Sequence, residues 1–412
     1  MKLIIAIESL TPPLTGIGYY TAHLVDEMLK SAEIDELYGI DHHGLINRQQ
    51  LMEHLWKNTD GELGEPITTA ALHSEQQVLN INHRKAAALQ STKAIIKKIP
   101  GAYAFARYYY ARRAHASIKG HPDCLLHAPN YIPPQHAGPT VVTVHDLSHI
   151  RHPETHPQER VQWLNQHLPQ ALDSASHIIS VSEFTRQELL DLGMVKDIER
   201  ISVCYNGCDE GFRLYEKDAL EPELSKWGLT VGRYILSVAT LEPRKNMERV
   251  LDAYESLPPE IAADYPLVLT GTAGWKNNSL RQRIARIKPP HHVITTGYLE
   301  RQQIQHLMAG AGVFAYLSFY EGFGLPILEA MASGVPVVTA NTTSLKEVAA
   351  DAAYTVDPFD VQAITAALAY FMEDPEHGKP FAAAGLARAR FFSWRKCAEE
   401  TIKAYRIAAR QD

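Results

Sequence analysis

Glu321 and Glu329 bracket the run Gly322-Phe-Gly-Leu-Pro-Ile-Leu328. Gly322, Phe323, Gly324 and Leu325 offer backbone N–H groups ahead of Pro326, a residue favoured in a first helical turn, and Gly334 stands where that helix should stop. Such a helix start attracts phosphate through its unpaired donors and the positive end of its dipole. Carboxylates repel phosphate, so the two glutamates call for another ligand. Sugar hydroxyls fit, because an ionised carboxylate accepts two hydrogen bonds from a diol. The pattern therefore points to a nucleotide sugar rather than a bare phosphate. A solvated helix start with acids drawn by the dipole explains either glutamate alone, but not the glycines, proline and second acid together.

Other residues join this run. Arg244 and Lys245 stand in Glu242-Pro-Arg-Lys-Asn246, after the apolar run Tyr234–Ala239. An adjacent Arg-Lys pair is commonly just solvated, but beside a helix start two cations hold a diphosphate from a second side. His145 and Asp146 follow the apolar run 139–144, at the carboxyl end of a strand, where open parallel sheets bind ligands. Gly16-Ile-Gly18 follows the first strand-like run, Leu3–Ile7. It lacks the third glycine of a dinucleotide fingerprint. A nicotinamide dehydrogenase would also leave Glu321, Glu329, Arg244 and Lys245 idle.

The elements that must position these residues read as a repeated strand–loop–helix rhythm. Apolar runs at Leu3–Ile7, Cys124–His127, 139–144, His177–Ser182 and Ile201–Cys204 form one set, with an amphipathic helix at about Tyr19–Lys30 and Ser182 as an N-cap. A polar stretch, Asp209–Gly232, reads as a linker. Runs at Tyr234–Ala239, Leu267–Thr270, Val293–Thr296, Val313–Leu317 and Val335–Thr339 form a second set, each ending in polar or glycine residues. The expected domains are 1–212, a linker at 213–231, and 232–392, with a C-terminal helix at about 393–412 packing back on the first. The 412 residues suffice for two such cores.

Composition narrows the class. With 45% apolar and 21% charged residues the chain is globular, and a net charge of −7 argues against a general nucleic-acid binder. Cys124, Cys204, Cys208 and Cys397 show neither CxxC pairing nor zinc spacing, which suits a reducing, cytoplasmic setting. No apolar run reaches membrane-spanning length. From Gln76 to Pro122 there is no acidic residue, while Arg84, Lys85, Lys93, Lys97, Lys98, Arg107, Arg112, Arg113 and Lys119 interleave with Tyr103, Phe105 and Tyr108 to Tyr110. Residues 84–119 thus suit the surface of an anionic membrane, though a solvated helix pair with inward tyrosines fits equally.

Together, Glu321-x7-Glu329 within Tyr-Glu-Gly-Phe-Gly-Leu-Pro and Glu242-Pro-Arg-Lys-Asn246 closely resemble the retaining GT-B glycosyltransferases, through most of the second half of the chain. In the first half the resemblance touches only the Gly16 loop, His145-Asp146 and Ser182-Glu-Phe-Thr185. It implies an α/β fold of two Rossmann-like, doubly wound domains facing each other across a deep cleft. It further implies that Arg244 and Lys245 neutralise the donor diphosphate, assisted by N–H groups at Phe323 to Leu325. Glu329 would hold the ribose, Glu321 and His145 the transferred sugar, Tyr298 and Leu299 the base, and Gly16 to Gly18 would close over the phosphate. No metal or other cofactor is expected. Val-His145-Asp-Leu with Leu-Glu-Pro-Arg-Lys-Asn resembles the mannosyltransferases of bacterial O-antigen and exopolysaccharide synthesis. The resemblance implies GDP-mannose as donor and a polyprenyl-diphosphate-linked glycan as acceptor, at the inner face of the cell membrane. UDP-glucose or another nucleotide sugar is the alternative donor, and a non-catalytic sugar-nucleotide or glycan-binding protein the more distant alternative.

Overall fold

The computed structural model describes residues 1–12, 14–59, 63, 112–272 and 278–410. Most of the basic, aromatic segment at 84–119 lies outside these residues; within it, 112–118 are helical. Among the described residues no helix is long and apolar enough to cross a membrane.

Among the described residues thirteen strands form two sheets. The first contains β1 (Lys2–Ala6), β2 (Glu36–Asp41), β3 (Gly44–Ile46), β4 (Leu125–Ala128), β5 (Thr140–Val144), β6 (His177–Ser180) and β7 (Ile201–Val203), in the order β3-β2-β1-β4-β5-β6-β7. β1 pairs parallel with β2 and β4, and β4 with β5, while β3 is an antiparallel addition to β2. The second contains β8 (Ile235–Val238), β9 (Leu267–Thr270), β10 (Val293–Gly297), β11 (Val313–Tyr316), β12 (Val337–Ala340) and β13 (Tyr354–Val356). Its order is β10-β9-β8-β11-β12-β13, parallel throughout. The helices used below are α1 (Gly16–Lys30), α2 (Glu183–Asp191), α3 (Met247–Glu255), α4 (Arg301–Ala309), α5 (Leu325–Ala332), α6 (Thr343–Ala349) and α7 (Trp394–Ala408).

Side-chain alternation explains why the central strands of the second sheet are apolar without interruption. Leu236, Val268, Phe314 and Val337 enter one core layer with Ile327, Leu328 and Met331 of α5. Their chain neighbours Ile235, Leu267, Leu269, Val313 and Val338 enter the opposite layer with Met247, Val250, Leu251 and Tyr254 of α3. A parallel sheet covered on both faces needs such continuous apolar strands. Burial of each of these side chains is worth about 1.5–3 kcal/mol. Strand order reverses between β8 and β11, so the loops after these two strands border the crevice where α/β sheets bind ligands.

The chain divides into two compact units. One is Met1–Val144 with Gln170–Ile179 and Thr401–Asp412; the other is His145–Pro169 with Ser180–Glu400. Residues 145–169 and 180–212, placed in the first domain on sequence grounds, group by their contacts with the second unit, although β7 within them continues the first sheet. In the first unit Tyr405 of α7 bonds His127 of β4 at 2.7 Å, tying the end of the chain to that sheet. The stretch 213–231 is not an unstructured connection. It holds a helix at Lys217–Leu224 whose Leu220 and Leu224 join the core containing Leu236 and Phe314. The sequence also gave no sign of β2, β3 or β13. Gly16 and Gly18 lie in the first turn of α1 rather than in an open loop. A Cβ on Gly18 would stand 2.9 Å from the Ser9 carbonyl oxygen, so internal packing already accounts for that glycine.

Candidate active site

The loop after β11 carries the first glutamate. Gly324, at φ 105°, caps α5, with Pro326 in the first turn, and Gly334 at φ 71° follows the last. Both glycines occupy left-handed backbone that other residues adopt at a cost. The carbonyls of the loop are held one by one. Arg244 Nη1 donates to Tyr320 O at 2.7 Å, and Ser344 Oγ to Glu321 O at 2.8 Å and Phe323 O at 3.0 Å. Ser182 Oγ donates to Gly322 O at 2.6 Å, with Thr185 Oγ1 at 3.3 Å. A trans peptide points its N–H opposite to its C=O, so the N–H groups of residues 321–324 face away from these partners. Among the described residues none of them donates to another residue of the chain. Consecutive outward N–H groups ahead of a helix form an anion-binding concavity.

Across the switch point, the loop after β8 presents Arg244 and Lys245. Glu321 is buried between them: Oε1 accepts from Lys245 Nζ at 2.6 Å and Tyr316 OH at 2.9 Å, and Oε2 from Arg244 Nη1 at 2.9 Å. Burial raises the Glu321 pKa, but Arg244 and then Lys245 outweigh it and hold the carboxyl at about 2. Asp146 is likewise held at about 2, burial being overcome by Arg244 and by Ser148 hydrogen bonds. Burial and the charge of Arg244 lower the Lys245 pKa, against the pull of Glu321. Arg244 also donates to Glu242 at 2.9 Å. Asn246, at φ 59°, fixes this loop by donating to Leu317 O at 2.9 Å and Pro358 O at 2.8 Å.

His145 follows β5, and its backbone touches the β11 loop. A Cβ on Gly322 would come within 1.7 Å of the His145 carbonyl oxygen. Only glycine allows that approach. Ser182 caps α2, its hydroxyl accepting from Thr185 N at 3.0 Å, while Glu347 of α6 accepts from Glu183 N and Phe184 N at 2.9 and 3.0 Å. Tyr320 donates to Glu188 of α2 at 2.7 Å.

Glu329, in α5, is buried and forms an ion pair with Arg301 Nη1 at 3.1 Å. Arg301 Nε also pairs with Asp209 at 3.2 Å, and the guanidinium lies 4.5 Å from the Phe212 ring centroid. Burial raises the Glu329 pKa; Arg301 pulls it down and Asp209 pushes it up. Tyr298 is exposed and Leu299 buried, in the turn between β10 and α4. The structure thus brings Glu321, Gly322, Phe323, Gly324, Leu325, Arg244, Lys245 and His145 onto loops of one unit. Glu329, Tyr298 and Leu299 lie in the same unit, and Gly16 and Gly18 in the other. Sequence reasoning missed Arg301, Asp209, Tyr316 and Ser344. Only Tyr316 carried a signal, as a polar-tipped residue two places before Ser318 on the strand that feeds the loop.

Known proteins resemble this chain in sequence and fold. Residues 226–388 match the profile described as glycosyl transferases group 1, and residues 79–212 that of glycosyltransferase family 4. O-antigen chain mannosyltransferase B of Escherichia coli is 36% identical over 407 residues, covering 99% of this chain and 100% of that one. This protein is a group 1 glycosyltransferase. The serotype-specific mannosyltransferase WbdA of Escherichia coli is 29% identical over 276 residues, or 65% of this chain and 33% of WbdA. Anabaena HepE, solved with UDP-glucose, superposes with a TM-score of 0.67 at 19% identity, over 98% of this chain and 99% of that one. This glycosyltransferase therefore has the GT-B fold of two Rossmann-like α/β domains, and it is an enzyme. Its substrates are accordingly a nucleotide sugar and a glycan acceptor.

Proposed function

We propose that this enzyme transfers mannose from GDP-mannose to a lipid-linked glycan acceptor in O-antigen synthesis, with retention at the anomeric carbon. The observation that carries the reading is the full-length likeness to an O-antigen chain mannosyltransferase, joined to an anion-binding loop at a topological switch point. In this reading the outward N–H groups of residues 322–324 and the Lys245 ammonium receive the donor diphosphate. Lys245 uses two donors on Glu321 and Tyr316, leaving a third for phosphate. Arg244 and Lys245 face three carboxylates, Glu321, Glu242 and Asp146, so the diphosphate competes for Lys245 rather than meeting a free charge. Glu321 has three of about four acceptor positions filled. It serves to orient the cations, with one position left for a sugar hydroxyl, while Glu329 holds ribose hydroxyls and Tyr298 and Leu299 border the base.

As the anomeric C–O bond breaks, negative charge grows on the departing phosphate oxygen. Donors fixed there in advance stabilise that charge more than the ground state. The acceptor hydroxyl attacks from the same face, and its proton passes to the leaving phosphate. The cation pair takes the part a metal would otherwise play, so activity should persist in EDTA. The basic, aromatic segment at 84–119 would hold the enzyme at an anionic membrane near its lipid-borne acceptor; neutralising its charges should abolish liposome flotation.

The test is transfer from GDP-mannose and UDP-glucose, in EDTA, to a polyprenyl-diphosphate glycan, with the anomeric configuration read by NMR. Mannosyl transfer with retention is expected. Transfer from UDP-glucose alone, or inversion, would overturn the reading. Lys245→Ala should lower kcat by about 10²-fold, the scale seen on removing one preorganised donor. An effect confined to KM would contradict a transition-state role.

A further inference from the structure

We propose that Ser344 is a positioning residue for the donor-phosphate loop. Its hydroxyl has one hydrogen, yet two carbonyls of that loop, Glu321 O and Phe323 O, converge on it at 2.8 and 3.0 Å. The residue is fully buried, so water does not substitute for it. Between these two carbonyls Gly322 O points to Ser182 instead, at 2.6 Å. Fixing these carbonyls in turn aims the N–H groups of Gly322 and Gly324 away from Ser344 and that of Phe323 away from Ser182.

The backbone that delivers Ser344 is strained. Thr343, a β-branched residue, sits at φ 57°, and Ala350 at the far end of α6 sits at φ 47°. Non-glycine residues remain in such conformations only where the surroundings enforce them. Without the hydroxyl, two buried carbonyls lose their donor. The loop then relieves them by turning a peptide, which brings an oxygen where an N–H stood, toward the phosphate. Ser344 thus acts through the loop and not on the substrate.

The inference rests on reading the loop as the diphosphate site, and the measurement separates the two. Affinities for GDP and guanosine, and for UDP and uridine in parallel, are measured by calorimetry on the full chain and on Ser344→Ala. Ser344→Ala should weaken the diphosphate at least tenfold and leave the nucleoside within twofold; loss of overall packing would weaken both alike. Ser344→Thr, which keeps the hydroxyl, should restore most of the difference. Equal affinities in wild type and Ser344→Ala, or equal weakening of diphosphate and nucleoside, would overturn the role of Ser344. If the wild type gains nothing from the diphosphate over the nucleoside, the phosphate reading itself falls. Should Ser344→Ala fail to fold, Ser344→Cys, a weak donor, reads the same split, and wild-type GDP affinity there overturns the proposal.

Discussion

At the scale of single residues, the two glutamates of the motif are held in opposite ways. Glu321 is ionised and stabilised by Arg244 and Lys245, whereas burial works against the charge of Glu329, which shares Arg301 with Asp209. Replacing Glu329 by Gln removes a charge that folding disfavours and leaves Arg301 paired with Asp209. Glu329→Gln should therefore leave the melting temperature unchanged or raise it, yet weaken binding of the nucleotide about tenfold, the usual opposition between site function and stability. Thermal melting with and without GDP checks both. Glu321→Gln differs, because two buried cations lose their counter-charge, and it should lower the melting temperature clearly. The charged residues read from the sequence were legible because each stands in a short motif, Glu242-Pro-Arg-Lys-Asn246 or Glu321-x7-Glu329. Arg301 was not, since it begins an ordinary helix and its partner Asp209 is 92 positions away in the chain.

At the scale of elements, α6 is a short helix bracketed by strained residues and bonded outward in two directions. Ser344 reaches the β11 loop and Glu347 the N-terminus of α2. Ala350, at φ 47° and ψ −127°, lies in a region suited to glycine. Ala350→Gly should stabilise the protein by roughly 1 kcal/mol, the relief of strain exceeding the extra backbone entropy of glycine. A melting temperature lower than wild type would show the geometry to be unstrained. The strands that read clearly from sequence are those covered on both faces, such as β11 and β12. β2 did not, because Glu36, Gly39 and Asp41 disguise it. Gly39 is a poor strand former, but a Cβ there would meet Leu51 Cδ1 at 2.9 Å, so packing against the helix Arg48–Asn58 demands it.

At the scale of the molecule, buried ionised carboxylates set the response to acid. Glu321 and Asp146 have folded pKa values of about 2, below the ordinary carboxylate range. A depressed pKa contributes stability that is present above the unfolded value and lost as pH falls through the folded one. Stability should therefore drop between about pH 5 and pH 2. Glu329, raised by burial, acts the other way as pH climbs past the usual carboxylate range. The urea midpoint followed by tryptophan fluorescence should fall steeply over the acid window. It should fall less steeply in Asp146→Asn, and an unchanged slope there would remove Asp146 from the account. The division into two α/β parts was legible from the restart of the strand rhythm at Tyr234. The membership of residues 145–169 and 180–212 was not, because it depends on long-range contacts such as Ser182 with Gly322.

The close approach of Gly322 to the His145 carbonyl has a bearing on how such enzymes can be recombined. A hybrid of two relatives joined at residue 212 would set one parent's His145, Ser182 and Thr185 against the other parent's Gly322. The loop would then be shaped by backbone from one ancestor and hydroxyls from another. Keeping residues 145–169 and 180–400 from a single parent preserves every one of these bonds, so a transplant of sugar preference should carry that block whole.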